Sequence, residues 1–280
     1  MEKPNPCILC NTLEFRPVHR KDQWQYLCCR NCKLVSIHPR PTAQMLMEYY
    51  RDYLPDRPAD INKWETMIQP VVANSADLIV SRSKTGGKKM LDVGCGYGFL
   101  LNEMQSRGWD VKGLEVSKTG RDYIRSKWNF QVYSQPLETL ELPENTFDVV
   151  TLLYVIEHVF DPLELLIKIN RILKPDGLVL LRWPHTTPVV RILGPLSTQL
   201  DLYHTPYHLY DFSPITMERI LLKTGFKSVE TLIGGHTLPS GRLNRWSSRI
   251  FGHLGQFLFS LFGGKVLLPG VSKTTIAFKP

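Results

Sequence analysis

The sequence predicts an α/β fold: a Rossmann-like, mostly parallel sheet with helices on both faces, preceded by a small zinc module. Three observations predict it. From residue 89 onward, short apolar strands alternate with helical patterns, which is the signature of βαβ units. The stretch LDVGCGYGFLL, residues 91–101, reads as a strand ending in closely spaced glycines that turn into a helix. Five of the six cysteines fall within the first 32 residues. A chain of 280 residues is long enough for one large domain and a small module.

Residues 1–40 hold two pairs, Cys7-x-x-Cys10 and Cys29-x-x-Cys32, eighteen residues apart. Each pair suits a tight knuckle, so four thiolates converge on one tetrahedral, structural Zn²⁺. The N-terminus MEKPNPCILC has no apolar signal segment and no window is apolar enough to span a membrane. The expected location is therefore cytoplasmic, where thiols stay reduced and clustered cysteines bind metal before they form disulfides. A segment with so few large apolar residues needs such a staple. Cys28 is out of register with the pairs and reads as a small core residue or spare thiol. His19 and His38 are candidate substitute ligands, though each reads first as a surface histidine.

Residues 41–85 are expected to be a helical linker or cap. Thr42 suits an N-cap before AQMLMEYY, a second helix is expected over 61–83, and SKTGGKK ends the region. The main domain then spans 86–280. Strands are expected at 89–93, 110–115, 130–133, 147–153, 177–183, 226–233 and 272–278, with helices at 98–107, 117–128, 161–173 and 213–224. Ser213-Pro214 marks the last helix start, with serine as cap and proline at the first helical position.

In a doubly wound sheet the ligand sits at the carboxyl ends of the strands. Gly94, Gly96 and Gly98 occupy that turn, where missing Cβ atoms allow close backbone approach. Their spacing is G-x-G-x-G, which differs from the G-x-G-x-x-G of dinucleotide sites. Asp92 ends the strand, poorly placed for a pyrophosphate but suited to a cationic ligand. Glu115 follows Gly94 by twenty-one residues, where a carboxylate accepts hydrogen bonds from a ribose diol. An adenosine site with a cationic tail and no phosphates describes S-adenosylmethionine.

LDVGCGYG, GLEVS, FDVVTLLYVIEHVFDP and NRILKPDGLVLLRWP follow one another between residues 88 and 233. In that order they resemble the class I S-adenosylmethionine-dependent methyltransferases. The resemblance implies a seven-stranded sheet ordered 3-2-1-4-5-7-6 with strand 7 antiparallel. It also implies that Asp92, Gly94, Cys95, Gly96, Tyr97 and Gly98 line the methionine and ribose of the cofactor. Glu115 and Val116 would then meet the ribose, Leu137 the adenine, and Leu153 and Tyr154 the flank; Gln135 is the polar residue available for an adenine contact. The CxxC module ending in HPRP, with HLYDFSP and a later GF, resembles a bacterial subgroup that modifies sugars, lipids or small metabolites.

Methyl transfer from a sulfonium needs mainly a positioned acceptor, and a hydroxyl acceptor also needs a base. Histidine is the natural candidate at neutral pH. His158 follows the strand at 147–153, His185 the strand at 177–183, and His204 and His208 lie in YHTPYHLYDFSP. His208, His158 and His185 are the candidate catalytic residues. Tyr207 and Tyr210 are candidates for packing or for holding a substrate ring.

The expected acceptor is a small molecule, a sugar or a lipid-linked compound. The alternatives are an RNA methyltransferase that uses the zinc module, and a non-catalytic regulator that binds S-adenosylmethionine. The formal net charge of +8 permits an anionic partner, but the basic residues form no run, so nucleic acid is disfavoured. An insert at 234–269 carries Ile250, Leu254, Phe257, Leu258, Leu261 and Phe262 at helical spacing, after Arg242, Arg245 and Arg249. Such a helix packs on the domain, caps the cleft, or makes peripheral contact with the inner face of the membrane through 240–268. Packing or capping is the leading expectation.

Overall fold

A computed structural model describes residues 4–51, 53–194, 196–238, 241–262, 267–268 and 271–280, with side chains 198, 242–245, 247 and 251 outside the description. The chain opens with three antiparallel strands, β1 (Phe15–Lys21), β2 (Trp24–Cys29) and β3 (Val35–His38), and two helices, α1 (Ala43–Arg51) and α2 (Pro58–Arg82). The alternating part follows as β4 (Lys89–Val93), α3 (Phe99–Ser106), β5 (Asp110–Leu114), α4 (Lys118–Lys127), β6 (Val132–Tyr133), β7 (Phe147–Leu153), α5 (Pro162–Ile172) and β8 (Leu173–Trp183). Then come α6 (Thr187–Leu193), α7 (Leu196–Leu200), β9 (Tyr210–Asp211), α8 (Pro214–Lys223), β10 (Lys227–Leu232), α9 (Arg242–Leu261) and β11 (Lys273–Phe278).

Seven strands form one sheet in the order β10-β11-β8-β7-β4-β5-β6. Numbered as expected from the sequence, this is the 3-2-1-4-5-7-6 order. β4, β5, β6, β7 and β8 pair in parallel, and β11 runs antiparallel to β8 and β10. The central strands are buried on both faces; Phe147 to Leu152 of β7 are all buried, as a sheet covered twice requires. Local chemistry starts the helices. Asp161 accepts from the Leu163 and Glu164 amides with Pro162 in the first turn, and Ser213 with Thr216 forms a capping box.

The N-terminal strands belong to a second sheet, ordered β1-β2-β3-β9. Its fourth strand comes from residues 210–211, in the loop that carries the candidate histidines. Tyr26 stacks on Tyr203 at 4.0 Å between ring centres and its hydroxyl donates to the His208 carbonyl at 2.9 Å. Lys21 pairs with Asp201 at 2.7 Å. The sheet of the cysteine module therefore holds residues 201–211 in place.

α9 departs from the expected packing. Trp246, Ile250, Leu254, Phe257, Leu261 and Phe262 are exposed, Trp246 by 68% and Phe257 by 60%. The inward face is small: Gly252 lies against His236, and Gly255 against Ile233 and Leu268. A Cβ on Gly252 would come within 2.8 Å of His236, so glycine is what lets the helix sit this close, with its large side chains turned outward. The Arg242 and Arg245 side chains lie outside the described residues. Among the described residues no helix is long and apolar enough to cross a membrane.

Candidate active site

One cleft of about 770 Å³ opens at the carboxyl ends of the parallel strands, where this fold class binds ligands. Its first half is built by the turn after β4. Gly94 and Gly96 have φ of +71° and +56°. A side chain at Gly94 would strike Val155, whereas at Gly96 nothing lies within 4 Å of where a Cβ would be. The turn is thus pressed against the β7 turn on one side and open to the cleft on the other. Asp92 is buried and accepts from the Thr151 hydroxyl at 2.6 Å. Burial pushes its carboxyl up to about 7. Glu115 accepts from the Gly96 amide at 2.8 Å and the Ser117 amide at 2.7 Å, and burial also raises it. Each carboxylate oxygen of Glu115 keeps a second lone pair.

Asp92, Gly94, Cys95, Gly96, Tyr97, Glu115, Val116, Leu137, Leu153 and Tyr154 all line this cleft. Gly98 does not: it caps α3 with φ +78°, and a Cβ there would meet Ile124 at 3.0 Å. Its role is close packing of α3 against α4. Gln135 is exposed and absent from the lining, while Glu138 lines it.

The second half is walled by α1, the start of α2, and the 204–208 loop. Tyr49 stacks on Tyr207 at 3.3 Å between ring centres, and Tyr50, Tyr53 and Trp64 continue an aromatic wall. The sequence does not single out Tyr49, Tyr50, Tyr53 and Trp64, because their packing beside the cleft is long-range. At the polar corner stand Glu157, His158 and His208. His158 Nδ1 lies 2.6 Å from the Tyr50 hydroxyl and 3.0 Å from the Tyr207 carbonyl. Burial holds the His158 imidazole down to about 4, lowers His208 well below its usual value, and pushes Glu157 up to about 8. His204 also lines this half.

His185 is not brought there. It follows β8, but Pro184 lines the cleft in its place, and burial holds its ring down to about 4. Tyr210 is buried under Arg40 and belongs to the packing.

At the N-terminus Cys7 Sγ lies 3.4 Å from Cys32 Sγ, and Cys10 Sγ 3.4 Å from Cys29 Sγ. All four sulfurs are within 4.8 Å of one another. That is far beyond a disulfide bond of about 2.05 Å. Four sulfurs bound at about 2.3 Å to one tetrahedral ion stand about 3.8 Å apart, so the donor set fits zinc. Cys28 is buried beside the set and outside it. His19 is buried between Tyr26 and Tyr203 and so is not a surface residue.

The family model for a methyltransferase domain matches residues 67–231. The chain belongs to the methyltransferase domain family. Its fold and motif order group it with the SAM-dependent methyltransferases. Ubiquinone biosynthesis O-methyltransferases from Pseudomonas aeruginosa and Pseudomonas entomophila are 30% and 32% identical to it over 152 residues, which is 52% of this chain and 64% of theirs. The match therefore spans under two thirds of those relatives. Among solved structures, a SAM-dependent methyltransferase from Archaeoglobus fulgidus superposes with TM-score 0.55 at 19% identity over 80% of this chain and all of that one. A phosphoethanolamine N-methyltransferase from Haemonchus contortus does so with TM-score 0.56 at 20% identity, over 84% of this chain and 60% of that one. At these identities they share the fold.

The cofactor half fits the methyl donor. Gly96 leaves room that any side chain would fill, and two buried carboxylates suit a ligand with cationic groups. Asp92, Glu115 and the glycine turn would hold it, with Leu137 beside the base.

Proposed function

We propose that this methyltransferase acts on a hydroxyl group of a small-molecule, sugar or lipid-linked acceptor. The observation that carries the reading is the corner of Glu157, His158 and His208, which opens on the same cleft as the glycine turn. With His204 beside it, it is the concentrated polar spot in a wall made mainly of aromatic and aliphatic residues. Bound S-adenosylmethionine supplies an already activated methyl group, so the protein has only to position the acceptor oxygen and take its proton. The tyrosine wall orients the acceptor, and the corner accepts the hydroxyl proton as the oxygen–carbon bond forms and the carbon–sulfur bond breaks, its electron pair leaving with S-adenosylhomocysteine. The O-methyltransferase relatives support hydroxyl over amine. We also assign one structural zinc to Cys7, Cys10, Cys29 and Cys32.

A lipid-linked acceptor is favoured by α9. Ser248 donates to the Thr237 carbonyl at 2.5 Å, and Thr237 lines the cleft, so the exposed apolar helix stands beside the cleft mouth. The test is release of S-adenosylhomocysteine with phenols, sugar hydroxyls and polyprenylated phenols set against matched amines. Turnover confined to amines would overturn the reading.

A further inference from the structure

Glu157 is 1% exposed, and neither of its carboxylate oxygens has a hydrogen-bond partner among the described residues. Buried polar groups are normally paired, and an uncompensated buried charge is strongly destabilising. The group that completes this carboxylate must enter from the cleft. Two imidazoles face the same point. Glu157 Oε1 lies 3.9 Å from His158 Nε2, and one ligand atom from each of Glu157, His158 and His208 falls within 4.8 Å of the others.

We propose that Glu157, His158 and His208 form a binding site for a divalent first-row transition metal at the acceptor end of the cleft. The second observation is the far side of His158. Its Nδ1 meets the Tyr207 carbonyl at 3.0 Å. A carbonyl only accepts, so an Nδ1–H donating to it leaves the Nε2 lone pair facing Glu157. This is how ligating histidines are held: the other ring nitrogen donates to a carbonyl or carboxylate. The Tyr50 hydroxyl, 3.3 Å from the same carbonyl, closes that contact. Glu157 and the His208 segment are also joined through the backbone, where the Leu209 amide donates to the Glu157 carbonyl at 2.8 Å.

The donor set selects the metal class. One carboxylate with two imidazoles suits manganese, iron, cobalt, nickel or zinc, whereas magnesium and calcium prefer oxygen donors throughout. Bonds of about 2.0–2.2 Å in tetrahedral geometry put the ligand atoms about 3.4 Å apart, so the set, now within 4.8 Å, closes by up to about 1.4 Å. Three protein ligands leave positions open toward the cleft, unlike the four thiols of the N-terminal cluster, which saturate a tetrahedral ion. On the reading that the acceptor is a hydroxyl compound, its oxygen takes an open position. A cation there lowers the hydroxyl pKa and replaces direct proton transfer to the three side chains: the proton leaves to water, the oxygen lone pair forms the new bond to the methyl carbon, and the carbon–sulfur bond breaks with its electron pair left on the sulfur of S-adenosylhomocysteine.

The test uses the full chain, first loaded with zinc to fill the cysteine cluster, then titrated with Co²⁺ and followed by visible absorption and calorimetry. The expected result is one further Co²⁺ showing weak nitrogen/oxygen-type bands without sulfur charge transfer. Glu157→Gln and, separately, His208→Gln should weaken it at least about tenfold, the lower bound even for outer-shell partners. S-adenosylhomocysteine binding by the same proteins serves as the folding control and reads the methyltransferase assignment independently. A variant that loses the nucleoside as well is set aside for the other. Absence of a second Co²⁺ on wild type, a second signal carrying sulfur charge transfer, or undiminished binding by a folded Glu157→Gln protein would overturn the proposal.

Discussion

In the cofactor half of the cleft Asp92 is tied to Thr151 and Glu115 to the amides of Gly96 and Ser117. In the acceptor half Glu157 is buried as deeply, yet its carboxylate has no hydrogen-bond partner among the described residues and only the His158 ring 3.9 Å away. The first half is held by hydrogen bonds within a few residues of the glycine turn and across to the neighbouring strand. The second is assembled from α1, α2, the β7 turn and the 201–211 loop. That loop is braced from outside by the cysteine module through β9, Tyr26 and Lys21. The difference teaches that a nucleoside site is completed by its own backbone, whereas the acceptor site waits for a ligand and depends on a distant staple.

The largest test of this contrast is removal of the metal expected at Cys7, Cys10, Cys29 and Cys32. Binding of a structural zinc, worth about 10–16 kcal/mol in small modules, is folding energy. Chelation should release one zinc, disorder β1–β3 and loosen residues 201–211, while S-adenosylhomocysteine still binds. Hydrogen exchange with calorimetry on the same sample reads both halves. A folded, zinc-free module would remove the staple from the argument, and equal loss in both halves would remove the contrast.

Next in size is Glu115→Ala. The carboxylate pins the glycine turn through two backbone amides and faces the cleft, so the substitution should cost roughly 1.5–3 kcal/mol of binding. That is about one to two decades in affinity for S-adenosylmethionine and S-adenosylhomocysteine alike. Unchanged calorimetric affinity would mean that the nucleoside is held elsewhere.

These two halves were unequally legible in the sequence. Asp92, Gly94, Gly96 and Glu115 sit in one strand–turn–helix and at the next strand's end, so their meeting follows from local pattern alone. No motif in IEH marks Glu157 as a site residue, and its neighbours Tyr50 and Tyr207 lie 107 and 50 residues away. His185 follows the right strand, but chain direction after β8 turns it away, and that direction is set by packing. The alternation predicted a mostly parallel sheet, and the strand order came from the family resemblance that the motifs carry. The β3–β9 pairing joins two residues to a strand some 170 positions earlier, and no periodicity announces it. The stripe on α9 was visible, but which way it faces depends on Gly252 and Gly255 finding His236 and Ile233.

The cofactor half can also be read by pH. Burial raises Asp92 to about 7, above an unfolded value near 3.9. The native state therefore holds this proton more tightly than the unfolded chain does, and between those values stability falls as pH rises. The slope from one such group is at most about 1.4 kcal/mol per pH unit. Urea unfolding between pH 4.5 and 7 should show a flatter profile for Asp92→Asn than for wild type. Parallel profiles would mean that Asp92 is ionised throughout.

The smallest expected effect touches neither stability nor cofactor affinity, and it concerns α9. Between Thr231 and Pro280 there is no Asp or Glu, while Arg242, Arg245, Arg249, Lys265, Lys273 and Lys279 are present. A helix with Trp246, Ile250, Phe257 and Leu261 turned outward, on an acid-free and basic stretch, matches an anionic bilayer surface in both hydrophobicity and charge. Such a contact would be peripheral, since no helix among the described residues is long and apolar enough to span. Intact protein should float with vesicles containing anionic lipid, less with neutral ones, and less at high salt. Trp246→Ser combined with Phe257→Ser should abolish flotation while leaving S-adenosylhomocysteine binding unchanged, because both side chains are exposed and away from the cleft lining. Flotation that ignores the double substitution would move the contact elsewhere on the surface. No flotation by wild type, with a concentration-dependent dimer lost in the variant, would assign the face to a second copy of the chain. In either case a lipid-linked acceptor would lose its advantage over a freely diffusing one.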